Sequence, residues 1–149
     1  MKSFLKLLVA FAPWLSFLVI AHDSLFRVKV GLLVALALSV VMGVARLHRG
    51  IILWVGLLFF GLATVAVVVL ENVWTLRFMG VLANGALAAG AWLMILLGRP
   101  FTLDYAREHT DPALWDDPRF VRTNVVITSA WATTFTVNAG LAALKMERV

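Results

Sequence analysis

Residues 51–70, IILWVGLLFFGLATVAVVVL, are twenty consecutive residues without a charged side chain. At about 1.5 Å per residue, a helix of this length is about 30 Å long, which is the thickness of the hydrocarbon core of a bilayer. The stretch is rich in valine, but in lipid it still forms a helix because every backbone N–H and C=O must be paired within the segment. It therefore predicts a transmembrane helix.

Four further apolar runs lie on either side of this stretch. The first follows Lys2 and Lys6, as in a signal peptide, but Val19-Ile20-Ala21 lacks the small residue expected three positions before a cleavage site. We therefore expect this run to remain as a helix that bends near Pro13. The predicted spans are 4–21, 28–45, 51–70, 76–98 and 124–144.

The composition of the whole chain agrees with this pattern. Hydrophobic residues make up 62% of the 149 residues and charged residues 14%, against about a quarter charged in soluble domains, which excludes a water-soluble monomer. The charges concentrate in one polar loop, 98–124, where Asp111-Pro112 and Asp117-Pro118 predict helix starts. We predict an all-α polytopic membrane protein, a single domain over 1–149 with five transmembrane helices and one interfacial helical loop.

The basic residues predict how the chain is oriented. Five spans place eight of them on the side of the N-terminus and the polar loop, and five on the opposite side. The eight are Lys2, Lys6, Arg46, Arg49, Arg99, Arg107, Arg119 and Arg122, and the five are Arg27, Lys29, Arg77, Lys145 and Arg148. This bias favours a cytoplasmic N-terminus and loop, and a C-terminus outside. Because the net charge of +5 comes from residues that flank membrane spans, it indicates anionic lipid headgroups as partners and excludes nucleic acid.

No residue pattern indicates a cofactor or a metal. The absence of cysteine excludes disulfides, iron–sulfur clusters and thiol catalysis. His22, His48 and His109 all lie outside the apolar runs, so they do not form the facing pair that a haem needs. We therefore expect no cofactor, no metal and no catalytic residue, and an enzyme is the least favoured class.

Polar residues inside the predicted spans are amides, hydroxyls and indoles. Asn84 lies between Gly80 and Ala88 at helical spacing, and Asn138 lies one turn after Thr134. We predict that these two faces pack against each other, with small residues allowing close approach and amides bonding across the contact. The alternative is a polar pocket or headgroup site, which Asn84 and Asn138 would line together with Trp92 and Trp131.

Arginines and aromatic residues alternate along the polar loop. The arginines are Arg99, Arg107, Arg119 and Arg122, and the aromatic residues are Phe101, Tyr105, Trp115 and Phe120. One interpretation is an interfacial surface for anionic lipid or a partner protein. The other is a mixed-charge cap that packs its aromatic residues on the bundle, which the loop's net charge of −1 (4 Arg against 5 acids) favours.

The order of these features resembles the inner-membrane septation protein A-like (intracellular septation protein) family of bacteria. The shared features are Phe60-Gly61-Leu62-Ala63-Thr64, the break at Glu71-Asn72 followed by Trp74, Arg99-Pro100-Phe101, Pro112, Trp115, Asn124, Trp131-Ala132, Phe135 and Asn138. The resemblance implies a five-helix protein of the bacterial inner membrane. It also implies a role in envelope maintenance or division through membrane-protein partners.

We therefore expect a non-enzymatic scaffold or interaction protein, whose partners are the lipid bilayer and other membrane proteins or further copies of the chain. The alternative is a lipid- or quinone-binding accessory subunit or a small-molecule carrier. The candidate ligand- or partner-binding residues are Asn84, Trp92, Arg99, Phe101, Tyr105, Trp115, Arg119, Arg122, Asn124, Trp131 and Asn138.

Overall fold

The computed structural model describes residues 2–22, 24–46 and 50–147, without the side chains of residues 2–4 and 147. Every regular element in these ranges is helical. The elements are α1 (Lys2–Ala10), α2 (Ala12–Ile20), α3 (Leu25–Val44), α4 (Ile51–Thr64) with a π-helical continuation (Val65–Val69), α5 (Val73–Arg77), α6 (Met79–Leu96), α7 (Phe101–Arg107), a 3₁₀ turn (Pro112–Leu114) and α8 (Pro118–Glu147). The predicted all-α fold is confirmed.

Four helices are long and apolar enough to cross a membrane. They are Leu25–Val44, Ile51–Val69, Met79–Leu96 and Pro118–Met146, and they coincide with four of the five predicted spans. Their outward surfaces carry large apolar side chains, for example Leu33, Leu58, Leu62, Leu93 and Val137. Such a surface is suited to lipid rather than water. His48 and Arg49 of the predicted basic turn, and Arg148 of the tail, lie outside the described residues.

The first predicted span, 4–21, is two nine-residue helices that meet at Phe11. Pro13 lies in the first turn of α2, where its missing N–H has no helical acceptor in any case, so the break falls two residues before the proline. Each helix is about 14 Å long and too short to cross a bilayer alone. Together, α1 and α2 extend over residues 2–20, about 28 Å of helix.

The chain forms two compact units, Leu8–Met79 and Met1–Leu7 with Gly80–Val149. In the first unit α2 packs against α3, and α3 against α4. An aromatic cluster lies at its centre, where the ring centroid of Phe60 is 4.7 Å from that of Trp14 and 5.6 Å from that of Phe17. Gly31 lies so close to Ala21 that a Cβ added there would be 2.9 Å from the Ala21 Cβ. A side chain on α3 at this position would separate the two helices.

The helix ends of this unit are capped by neighbouring side chains. The Ser24 Oγ accepts a hydrogen bond from the backbone N–H of Arg27, which begins α3. The Arg27 guanidinium donates to the carbonyl oxygens of Val19 and Ile20 at the end of α2, where a cation also complements the helix dipole. Across the unit, Lys29 Nζ is 3.3 Å from Glu71 Oε1. This ion pair joins the start of α3 to the end of the π-helical segment.

Candidate functional site: a polar cap on the last helix

The polar loop is attached to α8 by buried hydroxyl groups. Thr102 on α7 donates its hydroxyl to the Asn124 carbonyl oxygen at 3.1 Å, and its Oγ1 lies 2.9 Å from Thr128 Oγ1. A hydroxyl has one proton, so Thr128 is the donor in the second bond. Thr102, Asn124 and Thr128 are all buried. These bonds fix the position of α7 on α8. We refer to residues 98–117 as the cap.

Three side chains of α7 complete the packing of the cap. Phe101, Leu103 and Tyr105 are buried. Burial raises the pKa of the Tyr105 phenol well above its ordinary value, and the negative charges of Asp104 and Glu108 raise it further. Tyr105 therefore stays neutral at physiological pH and acts as a buried anchor of the cap.

The second half of the cap folds around Trp115. The indole Nε1 of Trp115 donates to the Thr110 carbonyl oxygen at 3.0 Å, and the Arg107 guanidinium lies over the indole at 5.5 Å from the ring centroid. The Asp111 carboxylate accepts from the backbone N–H of Ala113 at the start of the 3₁₀ turn. The Asp117 carboxylate accepts from the backbone N–H of Arg119 at the start of α8. Both predicted helix starts are confirmed.

Of the two interpretations of the loop, the structure favours the mixed-charge cap. The predicted alternation of arginines and aromatic residues does not form one exposed surface, because Phe101 and Tyr105 are buried and Trp115 is half-buried under Arg107. Arg99, Arg119 and Arg122 remain exposed. The exposed acidic side chains of this region are Asp104, Glu108, Asp111 and Asp116.

The N-terminal helix also contacts the cap. Lys6 on α1 forms an ion pair with Glu108 at the end of α7, and both side chains are about half exposed. An exposed pair of this kind contributes little stability. The ion pair is informative because it shows that Lys6 of α1 lies beside the cap.

Helices α6 and α8 touch at two described points. Trp92 Nε1 donates to Thr136 Oγ1 at 3.0 Å, and a Cβ built on Gly80 would be 3.4 Å from the Ala142 Cβ. The predicted small-residue face of α6 is thus partly correct: Ala88 is buried, and Gly80 lies close to Ala142 although it is exposed.

The predicted face of α8 is wrong, because Thr134 and Asn138 are both exposed. The Thr134 hydroxyl donates to the Ala130 carbonyl oxygen in its own helix, which removes its need for a partner on another helix. The buried stripe instead follows the spacing i, i+4, i+8, i+11. It consists of Asn124, Thr128, Ala132 and Phe135.

The remaining candidate binding residues differ in whether their side chains have a partner within the chain. The Asn84 side chain donates to the Gly80 carbonyl oxygen, and the Asn124 side chain to the Phe120 carbonyl oxygen, both four residues back in their own helices. Trp131 lies beside Phe135, with ring centroids 5.8 Å apart. The Asn138 side chain forms no hydrogen bond within residues 2–22, 24–46 and 50–147.

Sequence reasoning missed Thr102, Thr128 and Thr136, which make the contacts of the cap and of α6. The sequence offered no signal for them, because the buried pair Asn124 and Thr128 has the same four-residue spacing as the exposed pair Thr134 and Asn138.

Comparisons of this chain with protein-family models, curated proteins and solved structures found no match. The resemblance to the septation protein A-like family therefore remains a prediction.

Proposed function

We propose that this chain is a five-span protein of the bacterial inner membrane that acts as a non-enzymatic scaffold in envelope maintenance or division. The cap lies in the cytoplasm and is the docking surface for partner membrane proteins. One observation carries the proposal: the cap is attached to α8 through the buried bonds of Thr102 and Thr128, while its outer face is charged. A surface that is already ordered loses little conformational entropy when a partner binds.

Two ion pairs support the fifth crossing. If each long helix crosses once, Glu71 after α4 and the cap after α6 lie on opposite sides of the membrane. Lys29 pairs with Glu71, and Lys6 pairs with Glu108 of the cap. The chain between Lys6 and Lys29 must then pass from one side to the other. Residues 7–20 supply about 21 Å of this path, and the long side chain of Lys6, which reaches back to the cap, extends it.

The charges around the cap are suited to protein recognition. The exposed Asp111, Asp116, Arg119 and Arg122 form no ion pair within the described residues. Charges of both signs on a rigid surface select partners by electrostatic complementarity. They are less suited to an anionic bilayer surface, which would repel the acidic members.

The alternative, a lipid- or quinone-binding accessory subunit or a small-molecule carrier, gains no support from Asn84 and Trp92, two of the residues predicted to line its site. Asn84 bonds to its own helix and Trp92 bonds to Thr136. The single N–H of the Trp92 indole is used in this bond, and one N–H of Asn84 is used within its own helix, so neither residue is positioned by a need for a ligand.

Site-specific photo-cross-linking in cells tests the scaffold proposal. We expect a photoreactive residue at Asp116 to give a discrete adduct with a membrane protein. The adduct should weaken several-fold when Thr102→Val and Thr128→Val are combined, because the loosened cap no longer presents an ordered surface. Thr123→Val is the matched control, since the exposed Thr123 hydroxyl bonds only within its own helix, to the Arg119 carbonyl oxygen.

Charge reversal separates recognition by the cap from chance proximity. Arg119→Glu with Arg122→Glu, in the first two turns of α8 directly after the cap, should abolish the adduct, whereas Arg77→Glu, at an exposed position at the end of α5, should leave it unchanged. An adduct with lipid alone, or one that the reversal does not change, would contradict the docking role.

A further inference from the structure

The cap holds the half-buried Arg107 without an anionic partner. Its guanidinium forms no ion pair and no hydrogen bond within the described residues, and protein atoms enclose its Nε. Neighbouring acids do not supply a counter-charge: Asp104, one turn earlier on α7, remains exposed, and Glu108 pairs with Lys6. A cation that has lost part of its hydration and has no counter-charge favours an anion from outside the chain.

The position of Arg107 is fixed by the aromatic ring beside it. Its guanidinium lies 5.5 Å from the centroid of the Trp115 ring. The indole is itself held, because its Nε1 donates to the Thr110 carbonyl oxygen at 3.0 Å and the Thr110 hydroxyl donates to the Ala106 carbonyl oxygen at 2.8 Å. The π face offsets part of the charge, but the guanidinium N–H groups still have no acceptor in the part of the chain that the structure describes.

The surroundings of the Arg107–Trp115 pair are those of the centre of a protein interface. Trp115 is partly exposed, and the adjacent Leu114 is half exposed. Exposed acidic side chains, Asp111 and Asp116, flank Trp115 in the sequence. Arginine and tryptophan are the residue types that contribute most to binding at protein interfaces, and charged residues form the rim of such sites.

We propose that the Arg107–Trp115 pair is the centre of the docking surface and binds a carboxylate side chain of the partner protein. This inference rests on the scaffold role proposed above and adds the chemistry of the partner. The planar guanidinium donates two parallel N–H bonds to the two carboxylate oxygens. The exposed Asp111 and Asp116 favour basic residues beside that carboxylate. The partner segment is an aspartate or glutamate flanked by lysine or arginine.

An anionic phospholipid is less suited to this site. A phosphate group also accepts N–H bonds from a guanidinium, but a bilayer surface presents many negative charges together. The exposed Asp104, Asp111 and Asp116 of the cap would face these charges. A single carboxylate between basic residues avoids this repulsion.

Substitution of Arg107 in the photo-cross-linking assay tests the inference. The photoreactive residue is placed at the exposed Ala113, which leaves the acidic side chains of the cap unchanged. Arg107→Gln should lower the yield of the protein adduct about tenfold or more, the effect of losing a charge-assisted hydrogen-bonded pair. Arg107→Lys keeps the charge but loses the paired N–H geometry, so the yield should fall several-fold. Arg77→Gln and Arg77→Lys, at the exposed end of α5, are the matched controls and should not change it.

A charge exchange distinguishes contact with the partner from a structural role of Arg107. Mass spectrometry of the adduct identifies the cross-linked segment of the partner. Arg107→Glu should abolish the adduct, and replacing the acidic residue of that segment by arginine should restore it. A change in the partner cannot restore a cap that has lost its own structure, so restoration requires direct contact.

The possible outcomes separate this inference from the scaffold role. Absence of any protein adduct in the wild type would contradict the scaffold role itself. A protein adduct that Arg107→Gln leaves unchanged, or that the charge exchange does not restore, would overturn this inference and leave the scaffold role intact. A lipid adduct that Arg107→Gln abolishes would overturn the carboxylate assignment and show that the site binds a phosphate group.

Discussion

Replacing Phe60 by alanine is expected to lower the free energy of unfolding more than any other single truncation in the first unit. Phe60 is fully buried, and its ring lies against Trp14, Phe17 and Phe59. Phe→Ala substitutions in soluble cores cost about 3–5 kcal/mol, part of which is transfer from water. In a membrane the packing and cavity part remains, and we expect a loss of about 2 kcal/mol in an SDS titration of the protein in mixed micelles.

Leu58→Ala is the control for this prediction. Leu58 lies two residues away on the same helix, but its side chain is exposed on the outward surface. A side chain that faces lipid loses few protein contacts when it is truncated, so its stability should change little. If Leu58→Ala were as destabilising as Phe60→Ala, the aromatic cluster would not be the core of this unit.

Gly31→Ala is expected to destabilise the α2–α3 contact strongly for so small a change. The added Cβ would lie 2.9 Å from the Ala21 Cβ, 3.2 Å from its backbone nitrogen and 3.3 Å from its Cα. Backbone atoms cannot rotate away as a flexible side chain can, so the end of α2 must move. We expect a loss of about 1–3 kcal/mol, measured by the same titration.

Gly61→Ala is the matched control, and we do not expect it to lower the free energy of unfolding. A Cβ at Gly61 meets nothing within 4 Å of the described atoms, and alanine favours a helix over glycine by up to about 1 kcal/mol. Gly61→Ala should therefore be neutral or stabilising. Equal losses for Gly31→Ala and Gly61→Ala would show that helix α3 does not pack against α2 at Gly31.

The lengths of the apolar runs predict the four long helices, because a run and the helix it forms must both match the thickness of the bilayer core. The run lengths do not predict the break at Phe11. An apolar run contains no signal that distinguishes one continuous helix from two short ones, apart from Pro13, and the proline fixes the break only within a turn. The π-helical turns at Val65–Val69 are likewise not predictable from a valine-rich run.

The candidate site was predictable in its location but not in its contacts. The polar composition of residues 98–124 identified the loop, and the Asp-Pro pairs identified two helix starts. The buried face of α8 was missed because threonine hydroxyls bond either within their own helix, as Thr134 does, or across to another, as Thr128 does. Spacing alone cannot distinguish these two states, since both require only an acceptor within reach.

We propose that the chain crosses the membrane five times, with its N-terminus and its cap together in the cytoplasm. The chain contains no cysteine, so single substitutions provide unique labelling sites. Ser3→Cys reports the N-terminus, Ser24→Cys the connection before α3, and Asp116→Cys the cap. The serine replacements are nearly isosteric, and Ser24 and Asp116 are exposed.

The most direct measurement is labelling of these three variants with a membrane-impermeant maleimide in spheroplasts, before and after permeabilisation. The five-span account predicts that Ser24→Cys reacts before permeabilisation and that Ser3→Cys and Asp116→Cys react only afterwards. Reaction of Ser3→Cys together with Ser24→Cys would show that α1 and α2 do not cross and would contradict the account. Reaction of Asp116→Cys before permeabilisation would equally contradict a cytoplasmic cap.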